Sequence, residues 1–97
     1  MSAYLIVNVD VKDFEKIKKY ISDTPAVVEK YSGKFLARGG ELLVVEGNWN
    51  PKRVVIIEFD SFEKAKEYYN SDDYKPLKLL RQSSAETDVV IVDGLAN

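Results

Sequence analysis

Two residue types are missing altogether from this chain: cysteine and histidine. Without cysteine there are no disulfides, no thiolate metal sites and no cysteine nucleophile, and a reducing compartment is the natural setting. The lack of histidine removes the commonest general base and metal ligand. A Ser-His-Asp triad, a histidine-bound zinc and a histidine-ligated haem are therefore ruled out within the chain. Acid–base chemistry is left to Asp, Glu, Lys, Tyr, Arg or water. Apolar runs are short, none approaching the length of a membrane span. Charge of one sign is also scarce: 14 Lys and Arg against 16 Asp and Glu give a net charge of −2, with no basic stripe for nucleic acid. The first residues, Met1-Ser2-Ala3-Tyr4, lack the charged leader and cleavage site of a signal peptide, so a cytoplasmic location is expected, without membrane or nucleic-acid partners. Internal repeats and low-complexity tracts are absent from the sequence.

What is present suits one domain over residues 1–97, a length that buries roughly two-thirds of its unfolded surface. Aromatics are plentiful, with six Tyr, four Phe and one Trp, so a packed core is expected. Tyr4-Leu5-Ile6-Val7-Asn8-Val9 reads as a strand. Asp13 is an N-cap for a helix with Phe14, Ile17, Tyr20 and Ile21 on its apolar side. Thr24-Pro25 predicts a kink or restart, after which Val27, Val28 and Tyr31 continue the stripe to a stop at Ser32-Gly33. Residues 34–46 read as a strand broken at Gly39-Gly40 by a bulge or bend. A loop centred on Gly47-Asn48-Trp49-Asn50-Pro51 leads into the return strand Val54-Val55-Ile56-Ile57-Glu58-Phe59.

Asp60 and Glu63 stand at capping-box spacing before a helix that buries Phe62, Ala65 and Tyr69. Asn70-Ser71 breaks that helix. A second helical piece carries Tyr74, Leu77, Leu80 and Arg81, with Pro76 in its first turn. Val89-Val90-Ile91-Val92 is the last strand, and Leu95-Ala96-Asn97 is expected to be a loose tail. The order β-α-β-β-α-β is the α+β, ferredoxin-like split βαβ arrangement: a four-stranded antiparallel sheet with its helices on one face.

One imbalance stands out in that arrangement. The strands are apolar on both alternations: Leu5, Val7, Val9 against Tyr4, Ile6; Val55, Ile57, Phe59 against Val54, Ile56; Val89, Ile91 against Val90, Val92. Helices cover one face only, and monomers rarely expose a large contiguous apolar patch. A second copy, sheet face to sheet face, is the expected cover.

Several stretches together resemble the bacterial domain-of-unknown-function family 1330, within the dimeric α+β barrel superfamily. They are Tyr4-Leu5-Ile6-Val7-Asn8-Val9, the run from Tyr31-Ser32-Gly33-Lys34-Phe35 through Leu36-Ala37-Arg38-Gly39-Gly40, Glu46-Gly47-Asn48-Trp49-Asn50-Pro51, Arg53, Val55-Ile56-Ile57-Glu58-Phe59, Tyr68-Tyr69-Asn70-Ser71, Tyr74, Leu80-Arg81 and Asp88-Val89-Val90. The resemblance covers nearly the whole chain. It implies a homodimer whose two sheets form a barrel, and no settled activity. Relatives in the superfamily include cofactor-independent monooxygenases, small-molecule isomerases and haem-degrading enzymes. Several of these rely on a histidine or haem ligand that this chain lacks, so no cofactor and no metal are expected.

Polar residues inside apolar strands are the first candidates for function, because burying them unpaired costs free energy. Treating the first and third strands as parallel neighbours brings Asn8 beside Glu58, and counting back across the hairpin brings Arg38 or Gly39-Gly40 close to Glu58. Two readings follow. In one, this is a site where Arg38 orients an anionic or carbonyl-bearing ligand and Glu58 is a catalytic base raised by burial. In the other, Arg38 and Glu58 are a structural ion pair. Further ligand-binding candidates are Asn8, Trp49, Tyr69 and Arg81. Trp49 either walls a pocket or clamps a partner subunit; Tyr68, Tyr69 and Tyr74 are either core or pocket lining; Arg81 either caps its helix or reaches a ligand. Lys12, Lys16, Lys18, Lys19 and Lys30 read as a solvated face. Functionally, this leaves a homodimer holding a small organic molecule between sheet and helices, or a cofactor-independent enzyme of isomerase or monooxygenase type using Glu58 and Arg38.

Overall fold

The computed structural model describes residues 1–95; the expectation for Ala96-Asn97 lies outside the described residues. The order is β1 (Ala3–Val11), α1 (Phe14–Lys30), β2 (Lys34–Arg38), β3 (Val54–Phe59), α2 (Phe62–Tyr69), α3 (Lys75–Ser84) and β4 (Ala85–Asp93). The strands form one antiparallel sheet in the order β2-β3-β1-β4. This is the ferredoxin-like α+β fold, with its second helical crossover split into α2 and α3 where Asn70-Ser71 interrupts it.

Alternation along the strands divides the sheet into two faces. Leu5, Val7 and Val9 of β1 and Ile57 and Phe59 of β3 are buried beneath the helices. They pack there with Ile17 and Val28 of α1, Ala65 and Tyr68 of α2, and Tyr74 and Leu77. The opposite face carries Tyr4 across from Glu58 and Val92, Ile6 across from Ile56 and Val90, and Asn8 across from Val54 and Asp88. On that face Val90 is 57 % exposed, and Val92 is also exposed. Both faces are apolar, as the alternation predicts, and the chain covers only one of them.

Local chemistry explains most of the helix ends. The Asp13 carboxylate accepts the backbone N–H of Lys16 at 3.1 Å and caps α1. At the far end the left-handed position falls on Ser32 (φ 62°) rather than on the glycine, and the Gly33 N–H closes the turn on the Val28 carbonyl at 2.8 Å. Gly33 is needed for a different reason: a Cβ there would lie 2.7 Å from both the Phe59 ring and Val28. Ser61, not Asp60, caps α2, its hydroxyl accepting the Lys64 N–H at 3.1 Å. The buried side of α2 is Ala65 and Tyr68. Pro76 sits in the first turn of α3, where no N–H is needed.

Three expectations change. First, α1 runs through Thr24-Pro25 without restarting. Proline cannot supply the N–H that the Ile21 carbonyl would accept one turn back. The Arg38 guanidinium from β2 donates to that carbonyl instead, at 2.5 Å, and thereby ties strand to helix. Second, the strand expected over 34–46 ends at Arg38: Gly39-Gly40 breaks it as a bend and it does not resume, while the bulge lies between Phe35 and Ala37. Gly39 takes a left-handed conformation (φ +68°), its N–H closing the pairing on the Val54 carbonyl at 3.0 Å. Residues 40–52 then leave the sheet, and the apolar run Leu42-Leu43-Val44-Val45 lies exposed, Leu43 at 83 % and Val45 at 86 %. Third, Phe14 stays out of the core and is 70 % exposed.

Candidate functional site

The polar cluster expected from Asn8, Arg38 and Glu58 does not form. β3 reverses out of β2 and runs between β2 and β1, so it is antiparallel to both. Glu58 therefore stands opposite Tyr4 and Lys34, at the other end of the β1–β3 pair from Asn8. Glu58 and Asn8 share the helix-free face, whereas Arg38 lies across from Val55 among the helix-facing residues. The Arg38–Glu58 ion pair is likewise absent, because Arg38 is held by the Ile21 carbonyl and by the Phe35 ring, 4.8 Å from its guanidinium carbon. The Asn8 side-chain oxygen is buried without a hydrogen-bond partner. Trp49 is 64 % exposed and lines neither of the two cavities described next.

A different site lies between the helix-covered sheet face and α1 and α3. An inner cavity of about 50 Å³ is walled by apolar residues such as Leu5, Val7, Ile17 and Ile57. Its polar lining comes from Arg38, Arg53, Arg81, Tyr20, Thr24, Tyr68 and Tyr74, and includes no carboxylate. An outer groove of about 480 Å³ shares Val9, Val11, Ile17, Ile21 and Arg53 with it, and adds Asp10, Phe14, Gly39 and Lys52. Asp10 is already paired with Lys12 at 3.0 Å. The Arg53 guanidinium packs so closely on Gly39 that a Cβ would collide with it.

Arg81 is the centre of the site's electrostatics. It stands in the last turn of α3, where a helix-capping role is one reading, but its side chain turns inward and is 2 % exposed. Nη1 donates to the Tyr74 hydroxyl at 2.9 Å and Nη2 to the Tyr69 hydroxyl at 3.3 Å. Nε, also buried, donates to no group among the described residues. Tyr74 in turn shares a 2.5 Å hydrogen bond with Tyr20. No carboxylate pairs with Arg81 among the described residues. Burial works to lower the guanidinium's pKa, but the neighbouring phenols Tyr74 and Tyr69 outweigh it, and Arg81 stays cationic. Burial pushes the Tyr74 and Tyr68 phenols upward, Tyr20 adding to the effect on both. At neutral pH the cavity thus holds a buried positive charge facing neutral hydroxyls.

Of the sequence candidates, Arg38 and Arg81 meet at this cavity, and Tyr69 supports Arg81 from outside its lining. Tyr20 and Arg53 were not singled out for a site. Their positions in the pattern carry no such signal, since Tyr20 reads as one more apolar contact and Arg53 as a residue flanking a strand. The expected solvated face is present: Lys12, Lys18, Lys19 and Lys30 pair with Asp10, Glu15, Asp23 and Asp73 in exposed ion pairs. Among the described residues no group of three or more metal-ligating side chains occurs, and no helix is long and apolar enough to cross a membrane.

With the geometry in hand, comparison with known proteins gives three findings. The chain matches the family model described as Domain of unknown function (DUF1330) over residues 2–95. No curated protein sequence matches. Solved structures match in fold. The RPA0582 protein of unknown function from Rhodopseudomonas palustris is 18 % identical, with a TM-score of 0.78, over 99 % of this chain and 84 % of that one. A dimeric ferredoxin-like protein of unknown function from Jannaschia sp. CCS1 is 12 % identical with a TM-score of 0.74, over 97 % and 100 %. SnoaB, a cofactor-independent oxygenase from Streptomyces nogalater, is 10 % identical with a TM-score of 0.69, over 99 % and 95 %. At these identities the likeness is one of fold.

Proposed function

This chain belongs to the DUF1330 family, and from that premise we propose that it is a homodimer that binds a small organic anion between its sheet and its helices. One observation carries the ligand reading: a guanidinium 2 % exposed, with no carboxylate partner among the described residues and with Nε unbonded, lining a cavity whose polar groups include no acid. An unpaired buried charge costs several kcal/mol even after relaxation, roughly. Two phenol oxygens offset part of that cost, and an anion arriving from solvent supplies the rest. The apolar walls accommodate a carbon skeleton. Catalysis by Glu58 is not part of this reading, because Glu58 lies beyond the sheet from the cavity.

The dimer reading rests on the uncovered face, where Tyr4, Ile6, Val54, Ile56, Val90 and Val92 form a continuous apolar surface, and on the exposed run at residues 42–45. Fold neighbours described as dimeric support it. Trp49, in the same excursion as the exposed run, suits a contact with the partner better than a pocket wall.

Both halves are testable. Benzoate, acetate and phenyl phosphate are screened by thermal shift against wild type and Arg81→Met. Stabilisation of wild type by at least one of them, and not of the variant, is expected; at 100 times Kd the gain is about 2.7 kcal/mol. If none of the three shifts wild type, the ligand reading fails. Light scattering at micromolar concentration is expected to give a dimer mass, and Val90→Asp a monomer. A monomeric wild type overturns the dimer.

A further inference from the structure

Size and polarity are divided unevenly along the cavity and its groove, and that division narrows the class of ligand. The inner cavity, about 50 Å³, takes a few water-sized groups and no ring or long chain. The outer groove, about 480 Å³, falls within the range of small-molecule sites. Five residues line both, so the cavity and the groove adjoin. Charge sits at the inner end on Arg81, and the groove beside it is walled by Val9, Val11, Ile17 and Ile21.

Two details sharpen the picture. Nε of Arg81 has no partner among the described residues and Nη2 reaches Tyr69 only at 3.3 Å, so the Nε–Nη2 edge is the least occupied. That edge takes a carboxylate side-on through two parallel hydrogen bonds. Phe14, meanwhile, continues the apolar period of α1 but is 70 % exposed at the groove. A large aromatic left in water beside an apolar groove has a use if a hydrocarbon lies against it.

We propose that the occupant is an amphiphilic monocarboxylate that enters head first, its carboxylate against the Arg81 guanidinium and its tail along Phe14 in the outer groove. This rests on the anion reading above and adds the ligand's shape and direction to it. At the rim Asp10 is neutralised by Lys12, and Lys52 and Arg53 attract the approaching anion.

Calorimetric titration of the full chain with butanoate, hexanoate and octanoate, and with octanol as the neutral counterpart, tests the assignment. Affinity is expected to rise about fourfold per added methylene while the groove fills. Octanol should bind at least a hundredfold more weakly than octanoate, and Arg81→Met should abolish octanoate binding. Phe14→Ser, at an exposed position, should flatten the chain-length series. If the three acids bind equally well, the head-first amphiphile is wrong and the anion site stands. If octanol binds as tightly as octanoate, or no acid binds at all, the anion reading falls with it.

Discussion

Replacing Arg38 should cost stability only while residue 25 is proline. The Ile21 carbonyl lies inside α1, and its usual donor, the N–H four residues on, is missing at Pro25. Arg38 fills the gap from another strand at 2.5 Å. A hydrogen bond to a charged donor contributes about 1.5–3 kcal/mol when dry. Arg38 is exposed, so water takes over part of its role, and we expect Arg38→Met to cost about 1 kcal/mol. In a domain of this size that lowers Tm by roughly 4–8 °C. In a Pro25→Ala background, the new N–H reaches Ile21 by the ordinary helical bond, and the same Arg38→Met change should cost less than about 0.5 kcal/mol. Urea unfolding of the four proteins measures the coupling directly. Equal costs in both backgrounds would refute the reasoning and would leave Arg38 acting through its stacking on Phe35.

The buried tyrosines set an alkaline limit. Tyr68 and Tyr74 have pKa values raised by burial above the ordinary 10.0, so the folded chain keeps protons that the unfolded chain releases above pH 10. Their contribution is fully present below that pH and is lost as pH rises, at about 1.4 kcal/mol per pH unit for each tyrosine. Stability measured from pH 9 to 11 should fall accordingly, and Tyr68→Phe should halve the tyrosine part of the slope; an unchanged slope rejects the assignment. Gly33→Ala should cost about 1–3 kcal/mol by driving a methyl into Phe59 and Val28, read by thermal unfolding. Gly39→Ala combines a left-handed backbone, roughly 1–2 kcal/mol, with a collision against Arg53. It should lower both Tm and anion affinity, and an unaltered affinity would remove Arg53 from the site.

Much of the fold is legible in local chemistry. Asp13 and Ser71 act through hydrogen bonds to groups three residues away, and Pro76 through the N–H it lacks in a first turn, so sequence neighbours suffice to read these helix starts and breaks. The end of β2 is not legible in the same way. Leu42-Leu43-Val44-Val45 has strand propensity, but a strand exists only where a ladder partner exists, and the described residues offer none there. Phe14 follows the same logic: the helical period puts it on the apolar side, but whether anything covers that side depends on where the sheet ends.

The candidate site was legible only in its inventory. The exclusion of histidine and cysteine chemistry, and Arg38 and Arg81 as residues of interest, follow from the residues alone, because composition is independent of conformation. Which polar groups meet was decided by strand direction. The antiparallel course of β3 puts Glu58 at the opposite end of the strand pair from Asn8, its alternation turns it to the helix-free face, and three guanidiniums are left lining a cavity without an acid. Periodicity assigns a side chain to a face of its own element. Only the packing of elements determines what that face meets, and here it left one arginine buried with no carboxylate among the described residues.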